Sequence, residues 1–275
     1  MTFRAGLVQL RSGPDMARNY REAAELIRAA RAAGATFIST PEMTNVMDPD
    51  KDRVKAAARP EDHDLSVAGF AQLAADLNVH LHIGSLALQG PDGRLVNRGF
   101  IFAPDGRVLA RYDKIHLFDV DLPTGESHRE SASYRPGEEA VVVKTALASF
   151  GMAICYDVRF PALFNALAKN GAEVLLNPAA FTVPTGRAHW QVLLRARAIE
   201  TGSFMLAAAQ GGDHGHGRHT YGHSLIINPW GEVMAEAGEE PCVITADIDV
   251  AAVAEVRGRI PALQHGRAFS LRMAP

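Results

Sequence analysis

The stretch Phe150-Gly-Met-Ala-Ile-Cys155 is short and apolar, and a segment with helical character follows it over residues 161–170. Pro161 suits the first turn of this helix, and Gly171 suits its end. The short run Glu173-Val-Leu-Leu-Asn177 comes next. A strand, a helix and a second buried strand in succession are typical of an α/β fold with a layered core, so this stretch predicts the fold class.

The same alternation extends in both directions from this unit. Toward the N-terminus it predicts strands at residues 3–10, 37–40 and 79–88 and helices at residues 15–33 and 65–77. Toward the C-terminus it predicts helices at residues 189–201 and 251–257 and strands at residues 204–210 and 243–248. No Gly/Ser-rich linker interrupts the pattern, so we expect a single continuous domain over residues 1–275.

Two ten-residue segments share one pattern at a constant offset of 125 positions: Ile101-Phe-Ala-Pro-Asp-Gly-Arg-Val-Leu-Ala110 and Ile226-Ile-Asn-Pro-Trp-Gly-Glu-Val-Met-Ala235. Proline and glycine between two apolar runs indicate a β-hairpin in each segment. Either a common hairpin pattern occurs twice, or two related halves form a pair of pseudo-symmetric sheets. The sequence leaves both interpretations open.

Composition excludes several classes of protein. The chain has 275 residues, 47% of them hydrophobic, and a formal net charge of −3, which excludes wholesale disorder and gives no basic excess for nucleic-acid binding. No apolar run reaches the ~18–20 residues that span a bilayer, and the N-terminus lacks the layout of a signal peptide. We therefore predict a cytoplasmic protein without a membrane partner. Cys155 and Cys242 are the only cysteines, so no disulfide framework is expected.

Cys155 is the candidate nucleophile. It closes an apolar strand just before a helix, and ligands of open α/β sheets bind at the carboxyl ends of strands. The N–H of Tyr156 would be free there to donate a hydrogen bond to an oxyanion. A lone cysteine is more often a small buried hydrophobe, so the interpretation depends on finding partners for it.

Three charged residues supply such partners. Glu42 follows a short apolar strand, Lys114 precedes several apolar residues, and Glu130 lies in the long loop that comes after. Each of them alone is more often a solvated surface charge. Together with Cys155 they supply what amide hydrolysis needs: a carboxylate that takes the thiol proton, a thiolate that attacks, and an ammonium that stabilises the oxyanion.

Three blocks of the sequence resemble the signature motifs of the nitrilase (carbon–nitrogen hydrolase) superfamily: Pro41-Glu-Met43, Tyr112-Asp-Lys-Ile-His-Leu117 and Cys155-Tyr-Asp-Val-Arg-Phe160. The resemblance extends from the first strand to about Phe269. It implies a four-layer α-β-β-α sandwich with a Glu–Lys–Cys triad of Glu42, Lys114 and Cys155. It also implies an additional glutamate at Glu130, a homodimer or larger homo-oligomer, and no metal or organic cofactor.

The resemblance also implies a role for each group. Lys114 would lower the pKa of the Cys155 thiol and, with the N–H of Tyr156, hold the oxyanion. Glu42 and Glu130 would keep Lys114 charged. Glu42 would pass the thiol proton to departing ammonia and would then activate the water that hydrolyses the thioester.

Two further features have open or secondary interpretations. Arg159 could grip a substrate carboxylate or could form an ion pair with Asp157, and both readings stay open. The segment Gly211–Gly-Asp-His-Gly-His-Gly-Arg-His219 is rich in histidine, but its glycines predict a flexible loop at the mouth of the pocket and no metal site.

The expected substrate is an amide of a small acid. A plain chain of this length resembles the branch of ω-amidases and deaminated-glutathione amidases, and Tyr221-Gly-His-Ser224 is closer to the latter. The implied reaction converts a terminal carboxamide to a carboxylate and ammonia through a thioester, with deaminated glutathione as the substrate. The alternative is an ω-amidase acting on 2-oxoglutaramate or 2-oxosuccinamate.

Two hypotheses of another kind are kept. One is a catalytically silent, nitrilase-like binding module, against which the intact Glu42, Lys114 and Cys155 argue. The other is a Cys–His hydrolase, which would need a histidine such as His116, in place of Glu42, as the base.

Overall fold

A computed structural model describes residues 1–122 and 125–274 of the chain. Its strands are β1 (Thr2–Gln9), β2 (Phe37–Ser39), β3 (His80–Gln89), β4 (Leu95–Phe102), β5 (Val108–Asp113), β6 (Asp119–Asp121), β7 (Ser127–Arg129), β8 (Val141–Lys144), β9 (Ser149–Met152), β10 (Val174–Leu176), β11 (Phe204–Ala207), β12 (Gly211–Asp213), β13 (His219–Tyr221), β14 (Leu225–Ile227), β15 (Val233–Glu236) and β16 (Cys242–Asp249). Its helices are α1 (Met16–Ala32), α2 (Lys51–Ala57), α3 (Leu65–Leu77), α4 (Pro161–Lys169), α5 (Val183–Thr201), α6 (Ala251–Arg259) and α7 (Ala262–His265).

Two six-stranded sheets with the same internal order form the centre of the molecule. The first sheet runs β16-β1-β2-β3-β4-β5 and the second runs β8-β9-β10-β11-β14-β15. In each sheet three central strands are parallel, and the strands on both sides of them are antiparallel. Helices α1 and α3 pack on the first sheet, and α4 and α5 pack on the second. The predicted α-β-β-α sandwich is therefore confirmed.

Alternate residues of the strands fill the two sides of each sheet. Phe37 of β2 stacks on Phe150 of β9 with ring centroids 4.2 Å apart, which joins the two sheets face to face. Ile38, the next residue, packs instead with Ile27 of α1 and Phe70 of α3. Because successive side chains of a strand point to opposite faces, strands in the middle of a four-layer sandwich are apolar on both faces.

The repeated ten-residue segment forms a hairpin at corresponding edges of the two sheets. The β4–β5 and β14–β15 pairings both shift register directly after the first residue of the pattern, Ile101 or Ile226. Gly106 and Gly231 take left-handed backbone angles, with φ of 83° and 87°, and their N–H groups close turns with hydrogen bonds of 2.9 Å. Equal strand order and equal turns favour two related halves over the repeated use of a common hairpin.

Several boundaries differ from the sequence-based prediction. The strand predicted at residues 150–155 ends at Met152, and Cys155 opens a 3-10 helix over Cys155–Arg159. The helix predicted from residue 189 begins at Val183, because Pro184 is compatible with a first turn, where its missing N–H needs no partner. Strands β6 to β8, β12 and β13 and helices α2 and α7 were not predicted. Within the described ranges, no helix has both the length and the apolar character needed to cross a bilayer.

Candidate active site

Four candidate side chains meet where strands of both sheets end. Glu42 lies three residues beyond β2, Lys114 directly follows β5, and both belong to the first sheet. Cys155 lies three residues beyond β9 of the second sheet, and Glu130 opens the 3-10 helix Glu130–Ala132. All four line one cavity of about 400 Å³. The site therefore lies at the seam between the two halves of the sandwich.

The Lys114 ammonium lies between two carboxylates. Its Nζ donates to Glu42 Oε1 at 2.8 Å and to Glu130 Oε2 at 2.9 Å, and the Lys114 side chain is only 2% exposed. Burial lowers the pKa of Lys114, but the negative charges of Glu130 and Glu42 outweigh burial and hold that pKa well above its ordinary value. Lys114 therefore remains a cation inside the protein.

Glu42 is held as an anion by its hydrogen bonds. Burial raises the pKa of the Glu42 carboxyl, but the charge of Lys114 and hydrogen bonds from Lys114, Cys155 and Asn97 bring this pKa below its ordinary value. Asn97 Nδ2 donates to Glu42 Oε1 at 2.9 Å and to Glu130 Oε1 at 3.1 Å. A charged carboxylate beside a thiol can act as a general base.

Cys155 has an unusual backbone conformation. Its φ of 51° lies in the left-handed region, which residues with a Cβ adopt uncommonly and at an energetic cost. The N–H of Cys155 donates to the carbonyl oxygen of Pro178 at 2.8 Å, which fixes the start of the 3-10 helix. The N–H of Tyr156 donates to no acceptor among the described residues, so it is available for an anionic ligand.

The pKa of the Cys155 thiol differs from the sequence-based expectation. Burial raises this pKa, the Glu42 carboxylate raises it further, and Lys114 lowers it only in part, so the thiol pKa lies well above its ordinary value. Lys114 therefore lowers the thiol pKa, as predicted, but does not bring it below its ordinary value. The physical reason is that burial of the thiol and the charge of Glu42 outweigh the charge of Lys114. The resting pair is a neutral thiol and a carboxylate.

Arg159 does not line the cavity. Its guanidinium lies over the rings of Tyr156 and Phe181, 5.7 and 5.6 Å from their centroids, and approaches His189 Nδ1 at 3.2 Å. It forms no ion pair with Asp157 in the described structure. Neither reading of Arg159 from the sequence is supported, because the 3-10 helix that follows Cys155 directs this side chain behind the aromatic wall of the cavity.

The buried carboxylate of Asp157 connects the nucleophile turn to the end of β5. It accepts hydrogen bonds from Tyr112 Oη at 2.7 Å and from the Ile154 N–H at 2.8 Å. It also lies 2.7 Å from His116 Nδ1, and the His116 ring stacks on Phe160 with centroids 3.5 Å apart. His116 does not line the cavity, so the geometry does not support the Cys–His alternative.

Asn97 and Arg218 are among the polar residues of the cavity region that were not predicted from the sequence. Asn97 lies in β4 and its amide bridges Glu42 and Glu130, while Arg218 lines the cavity from the β12–β13 hairpin. The signal for Asn97 is a polar residue inside the apolar strand Leu95–Phe102, where burial demands a hydrogen-bond partner. No comparable signal marks Arg218, because a Gly/His-rich segment is typical of a surface loop.

The Gly/His-rich segment is a short hairpin fixed by one histidine. His214 is buried, with Nδ1 2.7 Å from the Ser12 carbonyl oxygen and Nε2 2.6 Å from Thr220 Oγ1. Burial lowers the pKa of His214 to about 4, so the ring is neutral at pH 7. The segment predicted as a loop over residues 211–219 is therefore in part a hairpin, and it lines the cavity through Arg218. The described residues contain no group of three side chains placed to hold a metal ion.

Known proteins resemble this chain over nearly its whole length. Residues 4–258 match the carbon–nitrogen hydrolase family. A deaminated glutathione amidase of Synechocystis sp. is 39% identical, over 96% of this chain and 97% of that protein. An omega-amidase of Xenopus tropicalis is 37% identical, over 94% of this chain and 93% of that protein. The crystal structure of Saccharomyces cerevisiae Nit3, of branch 10 of the nitrilase superfamily, is 30% identical with a TM-score of 0.86, covering 94% of both chains.

Proposed function

Because the chain belongs to the carbon–nitrogen hydrolase family and is an amidase, we propose that Cys155 is its nucleophile, Glu42 its general base and Lys114 its oxyanion-binding cation. One observation carries this proposal. The Lys114 ammonium is buried between Glu42 and Glu130 in the cavity that also holds the Cys155 thiol. A buried, charged lysine next to a neutral thiol and an ionised carboxylate supplies all the groups that acyl transfer needs.

The first half of the reaction forms a thioester. Glu42 takes the thiol proton as the Cys155 sulfur attacks the amide carbonyl carbon, so the high thiol pKa is no obstacle. The carbonyl π electrons move to oxygen, and the oxyanion is stabilised by Lys114 and the N–H of Tyr156. The C–N bond then breaks, and the departing nitrogen receives the proton from Glu42.

The second half releases the acid. Glu42, again a carboxylate, removes a proton from a water molecule whose oxygen attacks the thioester carbonyl carbon. The same two donors stabilise the second oxyanion. The C–S bond breaks, the sulfur recovers a proton from Glu42, and the carboxylic acid product leaves. Glu130 and Asn97 keep their contacts with Lys114 and Glu42 throughout, so they act as positioning residues.

We propose deaminated glutathione as the substrate. Two features support it: the 39% identical relative that bears this name, and a cavity of about 400 Å³, which has room for more than a short amide. In this substrate the amide nitrogen belongs to cysteinylglycine, so the leaving group is the amine of that dipeptide. Ammonia, which the sequence-based prediction gave as the product, would leave only from a free carboxamide such as 2-oxoglutaramate.

Detection of an acyl-enzyme tests the assignment of the nucleophile. Mass spectrometry of acid-quenched enzyme and substrate should find the acyl mass on the peptide that contains Cys155. Cys155→Ala should abolish both the adduct and turnover. Cys242→Ala is the matched control, because Cys242 begins β16 and does not line the cavity, and it should retain activity. Turnover by Cys155→Ala at the wild-type rate would refute the proposal.

Competition between substrates tests the assignment of the substrate. The kcat/KM for deaminated glutathione should exceed the kcat/KM for 2-oxoglutaramate measured with the same preparation. The reverse order would favour the ω-amidase alternative, in line with the 37% identical omega-amidase. Failure of wild type and Cys155→Ala alike on a panel of short amides would favour a silent binding module.

A homo-oligomer in the cytoplasm is also part of our proposal. Ile199 of α5 lies against Gly231 of the neighbouring hairpin, and Val192 of α5 and Trp230 and Met234 of that hairpin are exposed apolar residues as well. An exposed apolar patch on two adjacent elements suits contact with another copy of the chain. Two free cysteines are compatible with a reducing compartment.

A further inference from the structure

Arg218 is a cation of the cavity without an anionic partner. The other charged lining residues near the thiol are paired, since Lys114 contacts Glu42 and Glu130. No carboxylate among the described residues lies within 4.0 Å of the Arg218 guanidinium, whose one hydrogen bond is a long contact of 3.5 Å to the Ala180 carbonyl oxygen. A charge taken out of water without a counterion destabilises a protein unless a ligand supplies the opposite charge.

The position of Arg218 relates it directly to the reacting sulfur. Arg218, Ala180 and Cys155 line the same cavity, and Arg218 Nη2 donates to the Ala180 carbonyl oxygen at 3.5 Å. The negative charge of Glu42 also acts on the guanidinium. Arg218 and Cys155 therefore share one cavity of about 400 Å³, so a bound acid can meet the guanidinium and the sulfur in the same space.

The support of Arg218 is rigid. Arg218 directly precedes β13, and both of its backbone polar groups form hydrogen bonds. Its N–H donates to the Gly215 carbonyl oxygen at 3.0 Å, and its carbonyl oxygen accepts from the His214 N–H at 2.9 Å. The His214 ring anchors this turn to Ser12 and Thr220. A guanidinium on a fixed turn can bind a carboxylate with little loss of conformational entropy.

The charge of the site also requires a cation at this place. Glu42 and Glu130 outnumber Lys114, so the surroundings of the thiol are net negative and would repel an anionic substrate. Lys51 is the other lining cation without a carboxylate within 4.0 Å in the described ranges, but it is exposed and donates to the Arg129 carbonyl oxygen at 2.7 Å. Of these two cations without a carboxylate partner, Arg218 is the one whose side chain is partly buried.

We propose that Arg218 binds the carboxylate at the far end of the acyl chain and so selects amides of dicarboxylic acids over neutral amides. This inference rests on the proposed function, because it assumes that the acyl group is attached to Cys155. It assigns to Arg218 the role that the sequence suggested for Arg159.

A pair of amides that differ only in the carboxylate tests the inference. Glutaramate carries the carboxylate, and pentanamide has a methyl group in its place. We expect Arg218→Gln to lower kcat/KM for glutaramate about 100-fold, the effect of losing a charge-assisted bidentate contact, and to leave pentanamide nearly unchanged. Arg218→Lys should recover part of the loss. Arg187→Gln removes a positive charge from an exposed position of α5 outside the cavity and should change neither rate.

Binding of glutarate separates this inference from the proposed function. In the Cys155→Ala background, calorimetry should show that Arg218→Gln raises the Kd for glutarate at least about 10-fold. Equal losses on both amides, or an unchanged Kd for glutarate, would overturn the inference. If wild type hydrolyses neither amide but binds glutarate through Arg218, the carboxylate site stands and the proposed function fails.

Discussion

Glu42 and Cys155 have pKa shifts of opposite sign, and this determines which protonation state is populated. The pKa of Glu42 lies below its ordinary value because the charge of Lys114 overcomes burial, and the pKa of Cys155 lies above its ordinary value because of burial and Glu42. The proposed mechanism starts from an ionised Glu42 and a protonated Cys155. This form is therefore the resting form over the whole neutral range.

The pH profile of kcat/KM should show this directly. The rate should rise as Glu42 loses its proton, at a pH below the ordinary range of glutamate, and should fall only above the ordinary range of a thiol. A profile measured from about pH 3 to pH 10 on a neutral amide covers the expected rise and avoids titration of the substrate. An increase of the rate through pH 8 to 9, as expected for a pre-ionised thiolate, would contradict this account.

Lys114 has a structural role as well as a chemical one. Lys114→Met leaves Glu42 and Glu130 buried without their cation, and we expect the free energy of unfolding to fall by about 3–5 kcal/mol. Urea unfolding at pH 7 measures it. Lys144→Met, at an exposed position of β8, is the matched control and should change stability by less than about 0.5 kcal/mol. Equal stability of the two variants would contradict the buried ion network.

The residues of the site were predictable to different degrees. Glu42, Lys114 and Cys155 stand in short sequence blocks at the ends of apolar strands, so their types and positions could be read from the sequence. The balance of charges around Cys155 could not be read from the sequence, because it depends on whether Glu42 lies as close to the thiol as Lys114 does. Arg218 depends on how the β12–β13 hairpin folds back, which no local pattern specifies.

At the scale of elements, β3 holds the end of β2 in place through Gly84. A Cβ on Gly84 would collide with the carbonyl oxygens of Thr40 and Pro41 and with the ring of Pro178. Pro41 precedes Glu42, and Pro178 accepts the hydrogen bond from the Cys155 N–H. The close approach of these backbones therefore controls the distance between base and nucleophile.

Gly84→Ala should disturb both stability and catalysis. We expect a loss of about 1–3 kcal/mol in the free energy of unfolding and a fall in kcat, because Glu42 and Cys155 are pushed apart. Gly258→Ala is the matched control, since a Cβ there meets no atom within 4 Å and α6 gains up to about 1 kcal/mol from the better helix former. Wild-type activity and stability in Gly84→Ala would show that the contact is easily relieved.

Local signals explain which elements were predicted correctly. Helix α3 has its predicted bounds because Asp64 caps its first N–H groups and Asn78 ends it in the left-handed conformation. Helix α5 was predicted six residues too short, because Pro184 and Gly186 in its first turn resemble a break in the pattern. Strand β9 was predicted to extend too far, because the residues stay apolar up to Cys155 although the hydrogen-bonded strand pairing ends at Met152.

For the whole molecule, the architecture was predicted better than the way its parts meet. The repeated hairpin and the alternation of strands and helices indicate two similar α/β halves. Which faces of the two sheets meet depends on contacts between distant residues, such as the stacking of Phe37 on Phe150. Periodicity cannot give that pairing, because these strands are apolar on both faces.

The oligomeric state is the prediction that belongs to the whole molecule. Light scattering on purified protein should give a mass that is a multiple of 29.6 kDa. Val192→Glu combined with Trp230→Glu places charges in the apolar patch of α5 and its neighbouring hairpin and should lower this mass. A mass of one chain at every concentration of wild type would refute the prediction.

The placement of the cavity at the seam has an evolutionary consequence. The half built on the first sheet contributes Glu42 and Lys114, and the half built on the second contributes Cys155. If both descend from one ancestral unit, that unit had no complete set of reactive groups and had to pair with a second copy before hydrolysis could be selected. On that descent, the pairing of two units would come before the proposed chemistry, because the candidate groups are divided between the two halves.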